Sequence, residues 1–260
     1  MQFSLSTASL QDWKGAVLVV GVLAGDPGNL LNQLEQKCGG SLKRNLKLQQ
    51  FKGKTGDLAT LQLLPGNPDQ LIVVGLGEPQ DLAIDDLRRA AAKAARACKG
   101  SEGCLGMLLP WEPLNQSAAA VAVAEAVRLS LYKDQRFRKT PKPRAIPSEL
   151  QLIGLPQSAG TGLETVEARC AGVELARELV TAPANTVTPS ALAETARRIA
   201  ADHGLELSVL ERADCEERGM GAYLAVAQGS DMDPKFIHLT YRPAGPVKRR
   251  VVLVGKGLTF

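Results

Sequence analysis

Short apolar runs alternate with amphipathic stretches through the first 155 residues. The runs that are typical of strands cover residues 16–23, 58–64, 71–74, 105–109 and 149–155. Between them, residues 82–98 place apolar side chains on one helical face after a candidate N-cap, Asp81, and residues 117–132 form an alanine-rich helical pattern. This alternation predicts a sheet with helices packed on its faces.

A connector and a long helix follow this first alternation. Residues 138–147 (RKTPKPRAIP) contain three prolines and four cations, which is typical of an exposed, extended segment. Residues 163–180 then repeat apolar positions along one helical stripe. We therefore expect an N-terminal domain over residues 1–160, an inter-domain helix over 161–182 and a second domain over 183–260.

The second domain starts with explicit helix signals. Thr188 is a candidate N-cap, Pro189 fits the first helical position, and Gly204 is placed to end the helix. The strand patterns of this region cover residues 205–210, 236–241 and 251–254. The last of these is an unbroken apolar run, which predicts a strand buried on both faces. The sequence as a whole predicts the α/β class.

The amino-acid composition excludes some classes of protein but does not indicate a function. The 260 residues are 45% apolar and 22% charged with a net charge of +4, which is ordinary for a globular protein and no argument for nucleic acid. The longest apolar run, residues 16–24, is too short to span a bilayer, and no secretory signal pattern is visible at the start. Five scattered cysteines without a CxxC pair favour reduced thiols and a cytoplasmic location.

Phosphate-binding motifs fail on spacing. FKGKTG at residues 51–56 resembles a phosphate loop, but Leu48 occupies the place of its first glycine, so a solvated basic turn is predicted. Two glycine pairs follow strand patterns but lack the third glycine of a dinucleotide fingerprint. These pairs, each with the residue at the third-glycine position, are Gly75, Gly77 and Gln80, and Gly255, Gly257 and Phe260. The only histidines, His203 and His238, fall at a predicted helix end and inside a predicted strand, and neither is predicted to be catalytic.

Three segments of the second half resemble the leucyl aminopeptidases, also called cytosol aminopeptidases. They are ARELVTAPANTVTPSALAE at 176–194, RGMGAYLAVAQGSDMDPKFIHLTY at 218–241 and VVLVGKGLTF at 251–260. The first half is similar to the family's N-terminal domain in the segments LIVVGLGEPQDLAIDDLRRAAAKAAR and LYKDQRFRKT. The resemblance implies a macro-like N-terminal α/β domain followed by the beginning of an α/β metallopeptidase domain.

The resemblance also implies a function. Members of the family release N-terminal residues, often leucine, from peptides, use two divalent metal ions, zinc or manganese, and assemble as hexamers. Lys256 in VGKGLTF matches a metal-ligand lysine of the family, and the resemblance assigns it to metal and substrate binding. The family's other metal ligands and its catalytic lysine and arginine come after this motif, so none of the catalytic residues is expected within the 260 residues.

The chemistry of Lys256 sets conditions on such a site. An ammonium group has no lone pair, so the side chain must lose its proton before it binds a metal ion. Glycines at 255 and 257 would let the backbone approach a crowded ion closely. On spacing alone, a solvated lysine in a glycine-rich turn is the preferred interpretation, and the resemblance reverses it. We expect a fragment that is inactive alone and binds no metal ion tightly.

Two other functions remain as alternatives. A macro-like domain elsewhere holds ADP-ribose, but a fold does not by itself carry a function. Some relatives bind DNA, although a solvated linker is the preferred interpretation of the basic stretch that would do so here. That stretch consists of Arg136, Arg138, Lys139, Lys142 and Arg144. Asn185 is interpreted as a turn residue before a helix, with support of the domain junction or of the active-site wall as the alternative. Peptides with a free N-terminus are the expected partners, and no membrane contact is expected.

Overall fold

The computed structural model describes residues 1–25, 29–63, 66–98, 100–141 and 145–259. The chain divides into two compact units, Met1–Ala176 and Arg177–Phe260. Among the described residues, no helix combines the length and the apolar character needed to cross a bilayer.

The first unit is built on a six-stranded sheet. Its strands are β1 (Gln2–Ser6), β2 (Val17–Val22), β3 (Leu58–Gln62), β4 (Gln70–Gly75), β5 (Cys104–Leu108) and β6 (Glu149–Ile153). They are arranged in the order β1-β6-β5-β2-β4-β3, and every neighbouring pair is parallel except β3 with β4. All residues of β2 and β4 are buried, as expected for central strands of a sheet that is covered on both faces.

Helices supply that cover. They are α1 (Asn29–Lys37), α2 (Leu42–Leu48), α3 (Ile84–Ala97), α4 (Gln116–Leu131) and α5 (Leu163–Thr181), of which residues 163–176 belong to the first unit. One hydrophobic cluster packs α3, α4 and α5 against residues such as Val17 and Val19 of β2. The alternate residues Leu18 and Val20 belong to a second cluster with α1, α2 and Trp13. The two faces of the sheet thus carry separate cores, because successive side chains of a strand point to opposite faces.

The second unit is smaller. It contains α6 (Pro189–His203), β7 (Glu206–Leu210), α7 (Arg212–Glu217), α8 (Gly221–Ala227) and β8 (Phe236–Thr240), and β7 pairs with β8 in antiparallel fashion. The Thr188 hydroxyl accepts a hydrogen bond from the Ala191 N–H at 3.2 Å, and Gly204 ends α6 with a φ of 64°. The predicted N-cap, Pro189 position and C-terminal glycine of this helix are therefore confirmed.

The structure confirms the α/β class and most predicted elements. Two predictions need correction, which are the start of α3 and the strand over residues 251–254. Asp81 is not the N-cap of α3 but lies in a 3₁₀ turn, and α3 begins three residues later, after Ala83. The Asp86 carboxylate accepts the Ala83 N–H at 2.9 Å, so a side chain of the first turn, and not Asp81, forms the hydrogen bond at the start of α3. The turn predicted around Pro65 falls partly outside the described residues.

The predicted strand over residues 251–254 is wrong. Residues 251–259 have no regular structure, and the side chains of the four apolar residues are 69–94% exposed. A strand needs a partner for its backbone N–H and C=O groups, and within the described part of the chain no strand pairs with this segment. The four apolar side chains of residues 251–254 are therefore not packed against other described parts of the chain.

A glutamine side chain covers the outer edge of β3. The Gln49 amide donates to the Thr60 C=O at 3.0 Å and accepts the Thr60 N–H at 3.1 Å, which imitates one step of a neighbouring strand. Open strand edges promote pairing between molecules. We expect Gln49→Ala to lower the free energy of unfolding by about 1 kcal/mol and to increase self-association. Urea unfolding and sedimentation velocity measure the two effects, with Lys47→Ala, in the last turn of α2 just before Gln49, as the control. Unchanged association in Gln49→Ala would contradict the role of the amide at this edge.

Candidate functional site

Lys256 lies in the irregular segment that follows β8. Its side chain is exposed, and the segment runs beside α6, since a Cβ added to Gly257 would lie 3.7 Å from the Leu192 Cδ1. A Cβ added to Gly255 would meet nothing within 4 Å. The expected need for glycine next to a crowded ion is therefore not visible at this position in the structure.

The described residues contain no group of three or more His, Cys, Asp or Glu side chains close enough to hold a metal ion. Lys256 offers one nitrogen, whereas divalent ions in proteins take four or more ligands. His203 lies exposed in the last turn of α6, and His238 lies exposed in β8, where its Nε2 is 3.4 Å from the Thr240 Oγ1. A site at Lys256 would need further donors.

The FKGKTG loop directs its backbone donors at its own carboxylate. The Asp57 side chain accepts the N–H groups of Lys52 at 2.8 Å and Lys54 at 3.1 Å. The Thr55 hydroxyl donates to the Leu76 C=O at 3.2 Å. Both lysines are exposed, so the predicted basic turn is confirmed. A phosphate group would have to displace Asp57 to use these N–H groups.

Part of the basic stretch at 136–144 is already paired. The Arg136 guanidinium donates to the Asp134 carboxylate at 2.8 and 3.0 Å and lies 5.2 Å from the centre of the Phe137 ring. Arg138 and Lys139 are exposed, and Lys142 and Arg144 fall outside the described residues. Exposed cations of this kind fit both a DNA-binding surface and a solvated linker, so the DNA-binding alternative stays a prediction.

Asn185, which the sequence places in a turn, is exposed in the turn that precedes α6.

The five cysteines are free thiols, as predicted, and one of them has unusual surroundings. Cys104 starts β5 opposite Glu149 of β6, and the Glu149 carboxylate also accepts from Ser4 and from Gln151, each at 2.9 Å. Burial, together with this neighbouring carboxylate, raises the pKa of the Cys104 thiol to about 12. The thiol is therefore protonated near neutral pH and is a poor nucleophile or metal ligand.

This shift predicts an alkaline loss of stability. An unfolded chain releases the Cys104 proton near its ordinary pKa of 9.0, whereas the folded chain keeps it up to about 12. The folded state then holds more protons, so the free energy of unfolding falls across this interval, by at most ~1.4 kcal/mol per pH unit. We expect Cys104→Ser to remove that contribution and to flatten the dependence. Urea unfolding of both proteins across about pH 8 to 11 measures it, and parallel curves would refute the assignment.

The second unit exposes a set of large apolar side chains. They include Val180, Val226, Met232, Phe236, Leu239, Tyr241, Val247 and the four residues of 251–254. Apolar exposure of this extent in one small unit is typical of a surface that packs against other polypeptide. The β7–β8 pair also leaves both of its edges without a further strand within the described residues.

Comparison with known proteins gives consistent matches along the chain. The model described as "Cytosol aminopeptidase family, N-terminal domain" matches residues 19–141, and the model of that family's catalytic domain matches residues 174–260. A probable cytosol aminopeptidase of Prochlorococcus marinus (strain MIT 9313) is 63% identical over 260 residues, which is 100% of this chain and 53% of that protein. One of Parasynechococcus marenigrum (strain WH8102) is 59% identical over 261 residues, with the same coverage. The chain thus spans about half the length of the curated relatives it matches.

Solved structures agree with the sequence matches. A mutant of tomato leucine aminopeptidase superposes with a TM-score of 0.85 and 29% identity, covering 95% of this chain and 52% of that chain. The bottromycin maturation enzyme BotP in complex with Mn superposes with a TM-score of 0.68 and 28% identity. The superposition covers 88% of this chain and 46% of the BotP chain.

Proposed function

Because the chain belongs to the cytosol aminopeptidase family, we propose that it is part of a metal-dependent aminopeptidase that releases N-terminal residues, leucine preferred, from peptides. The observation that carries the proposal is the succession of both family domains, in order, along a chain that its relatives match from end to end. The proposal includes a cytoplasmic location, a hexameric assembly and peptides with a free N-terminus as substrates, all supported by family membership.

Lys256 is the residue of this chain that we assign to the metal and substrate site. Its role is to donate the lone pair of a neutral amine to a divalent ion, manganese or zinc, and to help hold the substrate beside that ion. BotP, which shares this fold, is in complex with Mn. The ion would supply Lewis-acid chemistry when bound. Since the described residues offer no further cluster of ligands, we propose that the other ligands and the catalytic residues come from sequence that the longer relatives have in addition.

The exposed apolar set of the second unit supports the same proposal. The two-stranded sheet exposes large apolar side chains and has two open edges within the described residues, which is typical of a sheet that is completed by further polypeptide. Polypeptide corresponding to the uncovered half of the relatives would have room to pair with β7 or β8 and to cover these side chains. Residues 251–254 would then become the strand that their sequence predicts, with Lys256 just past its end.

The 260-residue chain is expected to be inactive alone. We expect no hydrolysis of leucyl anilides above background by the purified chain with added Mn²⁺, and only weak Mn²⁺ binding in calorimetry, because one nitrogen donor cannot hold a dication tightly. The positive control is the Prochlorococcus relative under the same conditions. Robust turnover by the 260-residue chain would contradict both the assignment of Lys256 as its only ligand and the need for additional sequence.

A further inference from the structure

The strand β1 forms one end of the six-stranded sheet, and within the described residues it pairs with β6 alone. Its sequence, QFSLS, contains neither the charged residues nor the prolines that usually protect an edge strand from pairing. At the other end of the sheet, the Gln49 amide covers the edge of β3. The described part of the chain thus protects one end of this sheet and leaves the other end available.

The backbone of β1 presents two residues at this outer edge. The Gln2 N–H donates to the Ser148 C=O at 2.9 Å, which shows that Gln2 faces β6. In a parallel pair, every second residue directs both its N–H and its C=O at the neighbouring strand, so Gln2 and the alternate residues after it bond to β6. Phe3 and Leu5 therefore direct their N–H and C=O groups away from the sheet, where none of the described residues bonds to them.

This edge is complementary to itself. When two copies of β1 run antiparallel with Ser4 opposite Ser4, Phe3 of each copy lies opposite Leu5 of the other. Residues that face each other in this way exchange both of their N–H···O=C hydrogen bonds, so this register satisfies every outward group of Phe3 and Leu5 in both copies. A shift by one residue would place outward groups opposite inward ones, and a shift by two would move Phe3 or Leu5 past the end of the facing strand.

The side chains favour the same arrangement. Phe3 and Leu5 are partly buried and pack against the hydrophobic cluster that contains α3, α4 and α5. Across the two copies they would form aromatic–aliphatic pairs, which stabilise neighbouring strands. Ser4 lies on the opposite face, where its hydroxyl donates to the Glu149 carboxylate at 2.9 Å. Because β1 has no charged side chain, no like charges of the two β1 strands would meet where the copies face each other.

We propose that the chain forms a symmetric dimer in which β1 of one copy pairs antiparallel with β1 of a second copy and joins the two six-stranded sheets into one. A second copy is the occupant that the sequence supports, because its own edge satisfies every outward group and brings no charge to the contact. Two strands of 5 residues bury little surface, so the dimer is weak and reversible, with a Kd on the order of 100 µM.

A cysteine at position 4 tests the register directly. In the proposed pair the two Ser4 Cα atoms lie about 4.5 Å apart, within disulfide range, whereas the two Ser6 Cα atoms lie roughly 13 Å apart, which is too far. At a protein concentration above the expected Kd and with oxidised glutathione, Ser4→Cys should form a covalent dimer at least about tenfold faster than the matched control Ser6→Cys. The parent chain, with its own five free thiols, gives the background rate. Non-reducing gel electrophoresis measures all three.

Proline at position 3 tests the hydrogen bonds. The Phe3 N–H faces away from the sheet, so Phe3→Pro removes one outward donor and leaves the bonds to β6 in place. In the Ser4→Cys background, Phe3→Pro should cross-link at least about tenfold more slowly than Phe3→Ala, which loses the same aromatic ring but keeps the N–H. Tryptophan fluorescence in urea verifies that each variant is folded.

Three results would overturn the proposal: equal cross-linking of Ser4→Cys and Ser6→Cys, equal cross-linking of the proline and alanine variants, or a parent chain that stays monomeric in sedimentation velocity at millimolar concentration. Self-association without preferential cross-linking at position 4 would assign the contact to another surface, such as the exposed apolar side chains of the second unit, and would overturn it as well. None of these measurements depends on peptidase activity, so they leave the proposed function untouched.

Discussion

Replacing Lys256 by alanine in an active full-length protein should lower kcat/KM by at least about a hundredfold, because the variant would lose the metal ligand that we propose and the metal centre would be disturbed. The protein for this experiment is a fusion of this chain with the part of the Prochlorococcus relative that lies beyond the matched 53%. The fusion tests Lys256 in its own sequence context. The measurement is leucyl-anilide hydrolysis with added Mn²⁺, together with the metal content per chain, which should fall in the variant.

Lys256→Arg separates a lone-pair donor from a positive charge. Arginine keeps the charge but stays protonated and cannot offer a lone pair, so it should be as inactive as alanine if the amine binds a metal ion. Lys248→Ala, eight residues earlier in the same exposed segment, is the control and should retain full activity. An active Lys256→Arg fusion would show that only charge is needed there, and the ligand role would be wrong.

The sequence predicts the first unit well where the signals are local and strong. The buried strands β2 and β4 are visible as continuous apolar runs, because a strand covered on both faces needs apolar residues at every position. The ends of α6 are visible because Thr188 and Gly204 act on the backbone within one turn. These elements depend on nearby residues alone, which is why pattern and capping suffice to find them.

Other elements escape such an approach. The short elements β1, α1, α2, α7 and α8 were not predicted; they have five to nine residues each, too few for periodicity to stand out. The strand prediction for residues 251–254 failed for a different reason. The apolar pattern is clear, but strand pairing depends on a neighbouring strand. Local pattern gives the tendency of a segment, whereas strand formation also needs a second segment.

The candidate metal site shows the same difference. Lys256 could be identified because it sits inside one contiguous motif, VGKGLTF, although its surroundings could not.

Gly75→Ala should strongly destabilise the first unit. Gly75 ends β4 beneath the FKGKTG loop, and a Cβ there would lie 2.2 Å from the Lys54 C=O oxygen and 2.7 Å from the Gly53 carbonyl carbon. Both are backbone atoms, so no rotamer change relieves the overlap. The loop cannot move away freely, since the Gly75 N–H donates to the Asp57 C=O at 2.9 Å and the Asp57 carboxylate holds the loop backbone.

We therefore expect Gly75→Ala to lower the free energy of unfolding by about 3 kcal/mol or more, the usual scale of steric conflict in a packed core. Trp13 and Trp111, the two tryptophans, are both buried in the first unit, so their fluorescence in urea reports this unit directly. Gly172→Ala is the matched control: it adds the same methyl group inside α5, where a Cβ meets nothing within 4 Å, and should stabilise by about 0.5–1 kcal/mol. Opposite signs for one chemical change would show that loop contact, rather than loss of glycine as such, sets the cost. If the Gly75→Ala protein is as stable as its parent, the FKGKTG loop can move away from the added methyl group. The inference that hydrogen bonds hold this loop rigidly against the end of β4 would then be wrong.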